Sequence, residues 1–142
     1  MRISAGHLKG KKINFKKVQK TAAKQDTLRP TSSKVRESVF NIIGSLIVDA
    51  KFIDLYAGTG AVGIEALSRG ASAVFFVEAD RKRTEQIEKM LKDCAYSSKA
   101  DIIKGEASAF IARAIKDGLK FDIIFLDPPY HSGELECILP ML

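Results

Sequence analysis

The stretch "DLYAGTGAVG", residues 54–63, decides the fold class, because it sets a glycine-rich turn between a strand and a helix. "KFIDLY" predicts the strand, and "GAVGIEALSRG" predicts the helix, which ends at Gly70. Gly58, Gly60 and Gly63 have the G-x-G-x-x-G spacing, in which the backbone turns sharply and approaches a ligand at a helix N-terminus. The stretch therefore predicts a loop that binds a nucleoside cofactor. The alternative is a tight strand-to-helix turn without a ligand.

Downstream of this loop, strands and helices alternate. "AVFFVEA", "ADIIKG" and "FDIIFLD" predict strands, and "RKRTEQIEKMLKDC" and "EASAFIARAIKDG" predict helices. Short, nearly continuous apolar strands are typical of a parallel sheet with helices on both faces, so we expect an α/β, Rossmann-like fold. Only 12 residues follow "FLDPPY", with room for one short helix. A sheet that stops there has an unpaired edge, which predicts that the fold is incomplete at the C-terminus.

The N-terminal part of the chain has a different character. "RISAGHLKGKKINF" alternates loosely and predicts a hairpin, and "KKVQKTAAKQDTLRP" predicts a mobile loop that reaches Pro30. "TSSKVRESVFNIIGSLIV" then predicts an amphipathic helix, whose apolar residues are Val35, Val39, Ile42, Ile43 and Leu46. We therefore expect a hairpin and loop over residues 1–30 and a core over residues 31–142.

This 142-residue chain has a net charge of +6, and its positive excess lies in the N-terminal part. Residues 1–37 carry a net charge of +9, whereas residues 38–142 carry −3. Such a block indicates a polyanionic partner; the alternative is a solvated face that binds nothing. No apolar run approaches the roughly 18 residues of a membrane span, and the N-terminus lacks the apolar region of a secretory signal. The two cysteines lack metal-binding spacing, so we expect a cytoplasmic protein without a metal site.

Two acidic residues refine the prediction of the cofactor. Glu78 ends the second strand, 20 residues after Gly58, where a carboxylate can accept both hydroxyls of a ribose. A dinucleotide and S-adenosylmethionine both fit this crevice. Asp54 favours S-adenosylmethionine, since a carboxylate attracts its α-ammonium group and repels a pyrophosphate. Glu106 is a candidate acceptor for the adenine amino group, or simply an acid at the start of a helix.

The segment "DPPY", Asp127 to Tyr130, predicts a clamp for a planar amine. Each proline fixes its own φ and keeps the preceding residue extended, so the segment becomes a rigid row of acceptors. Asp127 and the Pro128 carbonyl can accept both hydrogens of an exocyclic amine while Tyr130 stacks on the base. This arrangement turns the lone pair of the nitrogen towards a sulfonium methyl. The amines of adenine and guanine fit equally well, and a turn capped by Asp127 is the structural alternative.

These motifs together resemble a known family. "RISAGHLKGKK", "LRPTSSKVRESVFNII", "FIDLYAGTGAVGIEALSRGA", "VFFVEAD" and "FDIIFLDPPY" are similar to bacterial 16S ribosomal RNA guanine-N2 methyltransferases, over residues 2–130. The resemblance implies a class I methyltransferase fold, of whose seven strands this chain carries the first four. It also implies transfer of a methyl group from S-adenosylmethionine, without a metal, to 16S rRNA in the small ribosomal subunit or its assembly intermediate, by a monomer.

The resemblance also assigns site residues. Cofactor contacts are implied for Arg29, Thr31, Asp54, Tyr56, Ala57, Gly58, Thr59, Gly60, Gly63, Glu78, Ala79, Glu106 and Ala107. Contacts with the target guanine are implied for Asp127, Pro128, Pro129 and Tyr130. Contacts with RNA are implied for Arg2, His7, Lys9, Lys11, Lys12 and Arg36.

Three alternatives to this function stay open. The chain could bind rRNA through its basic hairpin and keep an inactive methyltransferase core as a scaffold. It could methylate the N6 amine of adenine. It could also be a nicotinamide dehydrogenase, for which His131 is the only candidate proton-transfer residue near the crevice.

Overall fold

A four-stranded parallel sheet lies at the centre of the computed structural model, which describes residues 1–13, 31–129 and 133–142. The strands are β1 (Lys51–Asp54), β2 (Ala73–Glu78), β3 (Ala100–Lys104) and β4 (Ile123–Phe125). Their order is β3-β2-β1-β4, and every neighbouring pair is parallel. The predicted parallel sheet is confirmed, and β1, which carries the glycine loop, is one of its two central strands.

Five α-helices accompany the sheet in the described part of the chain. They are α1 (Ser33–Ile43), α2 (Ala61–Ser68), α3 (Arg81–Asp93), α4 (Ala107–Lys116) and α5 (Glu134–Ile138). Side chains cap two of them: Ser32 accepts from the Val35 N–H at 3.2 Å, and Asp80 accepts from the Arg83 N–H at 3.1 Å. None of these helices combines the length and apolar character required to cross a membrane.

The sheet separates two apolar clusters. Phe52 of β1 belongs to the cluster that contains Phe40 of α1 and Ile87 of α3, whereas its neighbour Ile53 belongs to the cluster that contains Phe110 of α4. Successive residues of a strand face opposite sides, so β1 packs against helices on both faces. This confirms the predicted α/β architecture.

The N-terminal segment forms the predicted hairpin. The Ile3 N–H donates to the Lys11 carbonyl at 3.1 Å, and the Gly10 N–H donates to the Ile3 carbonyl at 2.8 Å. Ile3 is 1% exposed and belongs to the same core cluster as α1 and α3. The hairpin is thus packed on the core through its apolar side. The predicted loop that reaches Pro30 lies outside the described residues.

The face that α1 turns to the core overlaps only in part with its apolar pattern: Val39 and Ile43 of that pattern are half-buried, and Ile43 packs against the core. Three residues of the predicted apolar stripe are exposed: Val35, Ile42 and Leu46. The buried residues of α1 are Arg36 and Phe40. The helix itself was predicted correctly, but its orientation depends on a buried arginine that a hydropathy pattern assigns to the solvent side.

Arg36 is buried because it meets a buried acid. Glu65 of α2 is 0% exposed, and its Oε2 lies 3.5 Å from Arg36 Nε while its Oε1 lies 3.0 Å from Arg69 Nε. Glu65 also accepts the backbone N–H of Ser4, and Arg36 donates to the Arg2 carbonyl at 3.0 Å. Burial alone would raise the pKa of Glu65, but the hydrogen bonds from Ser4 and the nearby Arg69 outweigh it and hold that pKa below its ordinary value. This ion cluster joins the hairpin, α1 and α2.

Candidate cofactor and amine site

A cleft opens where β1 and β4 end. Its lining comprises Thr31, Asp54, Tyr56, Ala57, Gly58, Thr59, Ala61, Val62, Phe125 and Asp127. Asp54 pairs with Phe125 across the two parallel strands, and the Leu55 N–H donates to the Phe125 carbonyl at 3.1 Å. Since parallel strands bring their carboxyl ends to one edge, Asp127 lies beside the start of the glycine loop. The structure therefore places six of the predicted cofactor residues and the predicted amine acceptor in one cleft.

The loop has the backbone geometry for which glycine is suited. Gly58 and Gly60 have φ of 53° and 75°, in the left-handed region. Gly60 directly precedes α2, and a Cβ on it would lie 2.9 Å from Ile87 Cγ1. The first N–H groups of α2 therefore emerge next to the cleft, where the N-terminus of a helix favours polar or anionic groups.

Gly63 lies where α2 packs closely against β2. A Cβ at this position would lie 2.2 Å from Cε1 of Phe76, so Gly63 lets α2 approach β2 closely. It is buried within α2 and does not line the cleft. Packing against the sheet is the usual role of the third glycine in this spacing, and the predicted cofactor contact of Gly63 stays a prediction.

Asp54 is the buried acid of the cleft. It is 1% exposed, and among the described residues neither of its side-chain oxygens has a hydrogen-bond partner. Burial raises its pKa to about 7; the charges of Asp127 and Glu78 add to the rise, and the nearby backbone N–H groups of Gly63 and Tyr56 oppose it. A buried carboxylate requires a partner, so this side chain fits a positively charged ligand group such as the α-ammonium of S-adenosylmethionine.

Glu78 holds the glycine loop against the end of β2. Its Oε2 accepts the Gly58 N–H at 2.8 Å and its Oε1 accepts the Asp80 N–H at 2.9 Å, while Arg83 Nη1 lies 3.7 Å from Oε1. Each carboxylate oxygen keeps a second lone pair, which a ribose hydroxyl could use. Glu78 therefore supports the loop, and its predicted contact with a ribose stays a prediction.

Other predicted cofactor residues lie outside the cleft lining. Glu106 precedes α4 with an exposed side chain that makes no capping hydrogen bond. Ala79 is exposed after β2, and Ala107 is buried in the first turn of α4. Arg29, like Tyr130 of the clamp and His131 of the dehydrogenase alternative, lies outside the described residues.

The clamp begins at an exposed carboxylate with a hydrogen bond that the sequence does not reveal. Asp127 is exposed, and its Oδ2 accepts from the Thr31 hydroxyl at 2.9 Å. Pro128 is half-buried and Pro129 is exposed. The two residues of the hydrogen bond are 96 positions apart, so no local pattern indicates the contact.

Glu134 is a second feature that sequence reasoning missed. It accepts a hydrogen bond from the Tyr56 hydroxyl and so joins the beginning of α5 to the cofactor loop. Burial and this carboxylate raise the pKa of Tyr56 above its ordinary value, and the hydroxyl stays a donor at neutral pH.

The predicted RNA contacts divide into two groups. Five are exposed on the hairpin: Arg2, His7, Lys9, Lys11 and Lys12. Lys11 also donates to the Asp93 carbonyl at 2.7 Å, which holds the hairpin near the end of α3. Arg36 is 2% exposed in the ion cluster with Glu65, so its predicted phosphate contact is wrong for the folded chain.

The family described as "Conserved hypothetical protein 95" matches residues 1–142. The chain belongs to this family. Among its curated relatives, the putative rRNA methyltransferase YlbH of Bacillus subtilis is 37% identical over the whole chain, which covers 73% of that protein. Ribosomal RNA small subunit methyltransferase D of Escherichia coli is 35% identical over the whole chain, which covers 66% of that protein. The chain thus spans about two thirds to three quarters of the length of these relatives.

The chain also resembles a solved structure, which confirms its predicted methyltransferase fold. The putative methyltransferase yhhF of Escherichia coli matches with a TM-score of 0.79 at 32% identity, covering 100% of this chain and 71% of that one. The predicted class I methyltransferase fold and the resemblance to rRNA methyltransferases are both confirmed.

Proposed function

We propose that the chain transfers a methyl group from S-adenosylmethionine to the exocyclic N2 amine of a guanine in 16S rRNA, with S-adenosylhomocysteine as the other product. The observation that carries the proposal is a pair of carboxyl groups in one cleft: Asp54 is buried without a hydrogen-bond partner within the described part of the chain, and Asp127 is exposed at the strand end. The names of the relatives support RNA as the substrate. We place the reaction in the cytoplasm, on the small subunit or its assembly intermediate, with the chain as a monomer.

The buried end of the cleft would bind the cofactor. When bound, S-adenosylmethionine supplies a methyl group on a positively charged sulfur. Asp54 would accept from its α-ammonium group, and the pairing would hold Asp54 ionised despite burial. Glu78 would accept the ribose hydroxyls while it keeps the N–H of Gly58. The chain thus uses fixed charges and dipoles to bind and orient the cofactor.

The open end of the cleft would bind the base. Asp127 and the Pro128 carbonyl would each accept one hydrogen of the amine, which aims the nitrogen lone pair into the cleft. This is catalysis by orientation and electrostatics, and the amine loses one proton during or after the transfer. Asp127 and Pro128 serve adenine as well as guanine, so the choice of guanine rests on the family resemblance.

The exposed hairpin would supply affinity for RNA. Arg2, Lys9, Lys11 and Lys12 are exposed together with His7, and each phosphate contact of a basic side chain releases counterions. Such contacts carry little sequence information. We therefore expect RNA affinity to fall steeply with salt for both cognate and unrelated RNA.

The test combines labelled S-adenosylmethionine, small ribosomal subunits that lack the modification, and mass spectrometry of the digested nucleosides. We expect label in N2-methylguanosine with the wild type and none with Asp127→Ala, while calorimetry shows that both still bind the cofactor. Asp122→Ala is the matched control, since Asp122 is an exposed aspartate at the other end of β4.

Other results would change the proposal. Label in N6-methyladenosine would keep the amine chemistry and refute guanine as the target. Retained activity in Asp127→Ala would refute the clamp. Cofactor binding without label in any nucleoside would refute methyl transfer by this chain and favour the binding-only alternative.

A further inference from the structure

The contact between Thr31 and Asp127 joins the beginning of α1 to the end of β4. Thr31 Oγ1 donates to Asp127 Oδ2 at 2.9 Å, and both residues line the same cleft. Asp127 is exposed, so packing does not fix its carboxylate, which could otherwise rotate among several staggered positions. A hydrogen bond from a neighbouring residue is therefore the means by which this carboxylate keeps one orientation.

Thr31 is itself held in place by the helix that follows it. Ser32 caps α1 by accepting from the Val35 N–H at 3.2 Å. Further along, Arg36 donates to the Arg2 carbonyl at 3.0 Å, and Phe40 is 1% exposed against the sheet. Because α1 is anchored at a buried ion pair and a buried ring, it presents the Thr31 hydroxyl at a defined point of the cleft.

From this geometry we infer that Thr31 is a positioning residue for the amine acceptor: its hydroxyl occupies Oδ2 of Asp127 and leaves Oδ1 free to accept from the substrate amine. The inference rests on the proposed function and deepens it. It also assigns Thr31 to the amine end of the cleft, rather than to the cofactor contact that the sequence predicts. A carboxylate held in one orientation also orients the substrate amine. If the acceptor pointed elsewhere, the amine could turn its lone pair away from the methyl group, and transfer would be slower.

The test uses two substitutions that differ in one hydroxyl. Thr31→Val keeps the shape of the side chain and removes the donor, whereas Thr31→Ser keeps the donor. We expect Thr31→Val to lower kcat by about 10-fold, with KM for the RNA and Kd for S-adenosylmethionine nearly unchanged. The single variant Thr31→Ser should keep kcat within about threefold of the wild-type value.

A matched control separates this effect from a general loss of stability. Thr84→Val makes the same substitution in α3, where the Thr84 hydroxyl donates to the Arg81 carbonyl at 2.8 Å and does not line the cleft. We expect its kcat to equal that of the wild type. A wild-type kcat in Thr31→Val would overturn the inference. A higher kcat/KM in that variant would also overturn it, since it would mean that Thr31 competes with the substrate.

A crystallographic readout makes the inference independent of activity. In Thr31→Val the Asp127 carboxylate should occupy new or multiple rotamers, whereas in Thr31→Ser it should keep the orientation of the wild type. An unchanged carboxylate in Thr31→Val overturns positioning even if kcat falls. If the wild type methylates no base, the proposed function fails, but this comparison still decides whether Thr31 orients Asp127.

Discussion

Replacing Gly6 by alanine should push residues 5–8 of the hairpin away from Ser68 at the end of α2, and Gly10→Ala is its matched control. The two glycines have nearly equal φ, 81° and 84°, so both substitutions carry the same left-handed strain of about 1–2 kcal/mol. They differ in their surroundings. A Cβ on Gly6 would lie 1.7 Å from the Ser68 carbonyl oxygen, whereas a Cβ on Gly10 has no described residue within 4 Å. Only Gly6→Ala forces the hairpin away from α2.

The size of the difference follows from the contacts that would be lost. The His7 N–H donates to the Ser68 carbonyl at 2.9 Å, the Leu8 N–H donates to the Ser68 hydroxyl at 3.1 Å, and that hydroxyl donates to the Ala5 carbonyl at 2.7 Å. Each such bond contributes about 1 kcal/mol net, so Gly6→Ala should lose about 3 kcal/mol more than Gly10→Ala.

Urea unfolding followed by circular dichroism measures the two free energies of unfolding on the same scale. Hydrogen exchange provides a local check, because the amide of His7 should lose its protection in Gly6→Ala and keep it in Gly10→Ala. Equal destabilisation by the two substitutions would refute the reasoning, because it would mean that strain alone decides both values.

Three buried residues give four further predictions. Because burial raises the pKa of Asp54 to about 7, affinity for S-adenosylmethionine, measured by calorimetry, should rise between about pH 6 and about pH 8 in the wild type and stay low in Asp54→Asn. Without cofactor, this acid contributes stability that is present below its unfolded pKa of 3.8 and lost as pH rises through about 7, so Asp54→Asn should melt at a higher temperature at about pH 8. Glu65→Gln leaves the charge of Arg36 unpaired and should lower the free energy of unfolding in urea at pH 7 by about 3–5 kcal/mol, a deficit that shrinks as acid protonates Glu65 in the wild type. Gly63→Ala pushes α2 away from the Phe76 ring and should lower the free energy of unfolding by about 1–3 kcal/mol. Adding Phe76→Leu in a double variant should restore part of this loss.

For each of the three residues, one result would contradict the reasoning. A flat pH profile of cofactor affinity in the wild type would mean that Asp54 is already ionised in the free chain. A change below about 1 kcal/mol for Glu65→Gln would mean that water solvates Arg36. Purely additive effects of Gly63→Ala and Phe76→Leu would mean that the two side chains do not meet.

Periodicity was sufficient to predict the elements and too coarse to orient α1. The strands β1 to β4 were predicted because they are short, nearly continuous apolar runs, and the glycine loop marked where α2 begins. The face of α1 was not predictable in the same way. Arg36 is buried only because Glu65 lies opposite it, and an ion pair between distant residues leaves no trace in local hydropathy.

The site follows the same division. The positions of Asp54, Glu78 and Asp127 at strand ends were predictable because strand ends in a parallel sheet converge, so spacing along the chain translates into position. The hydrogen bond from Thr31 to Asp127, and that from Tyr56 to Glu134, depend on how a helix and a strand end meet in space. Gly63 fitted the spacing, but its role depends on the ring of Phe76 on another element.

The short helix α2 has a geometric consequence for the two proposed binding regions. The cofactor loop leads into its first residue, Ala61, and the hairpin is bonded to its last, Ser68. Eight residues of α-helix span about 12 Å and resist both stretching and bending. On the proposed function, α2 is a rigid spacer that fixes how far the methyl group lies from the RNA backbone held by the hairpin. Only bases at that distance from the bound RNA backbone could then enter the cleft. The length of one helix would thus restrict which base of a folded RNA is methylated, independently of contacts with the base itself.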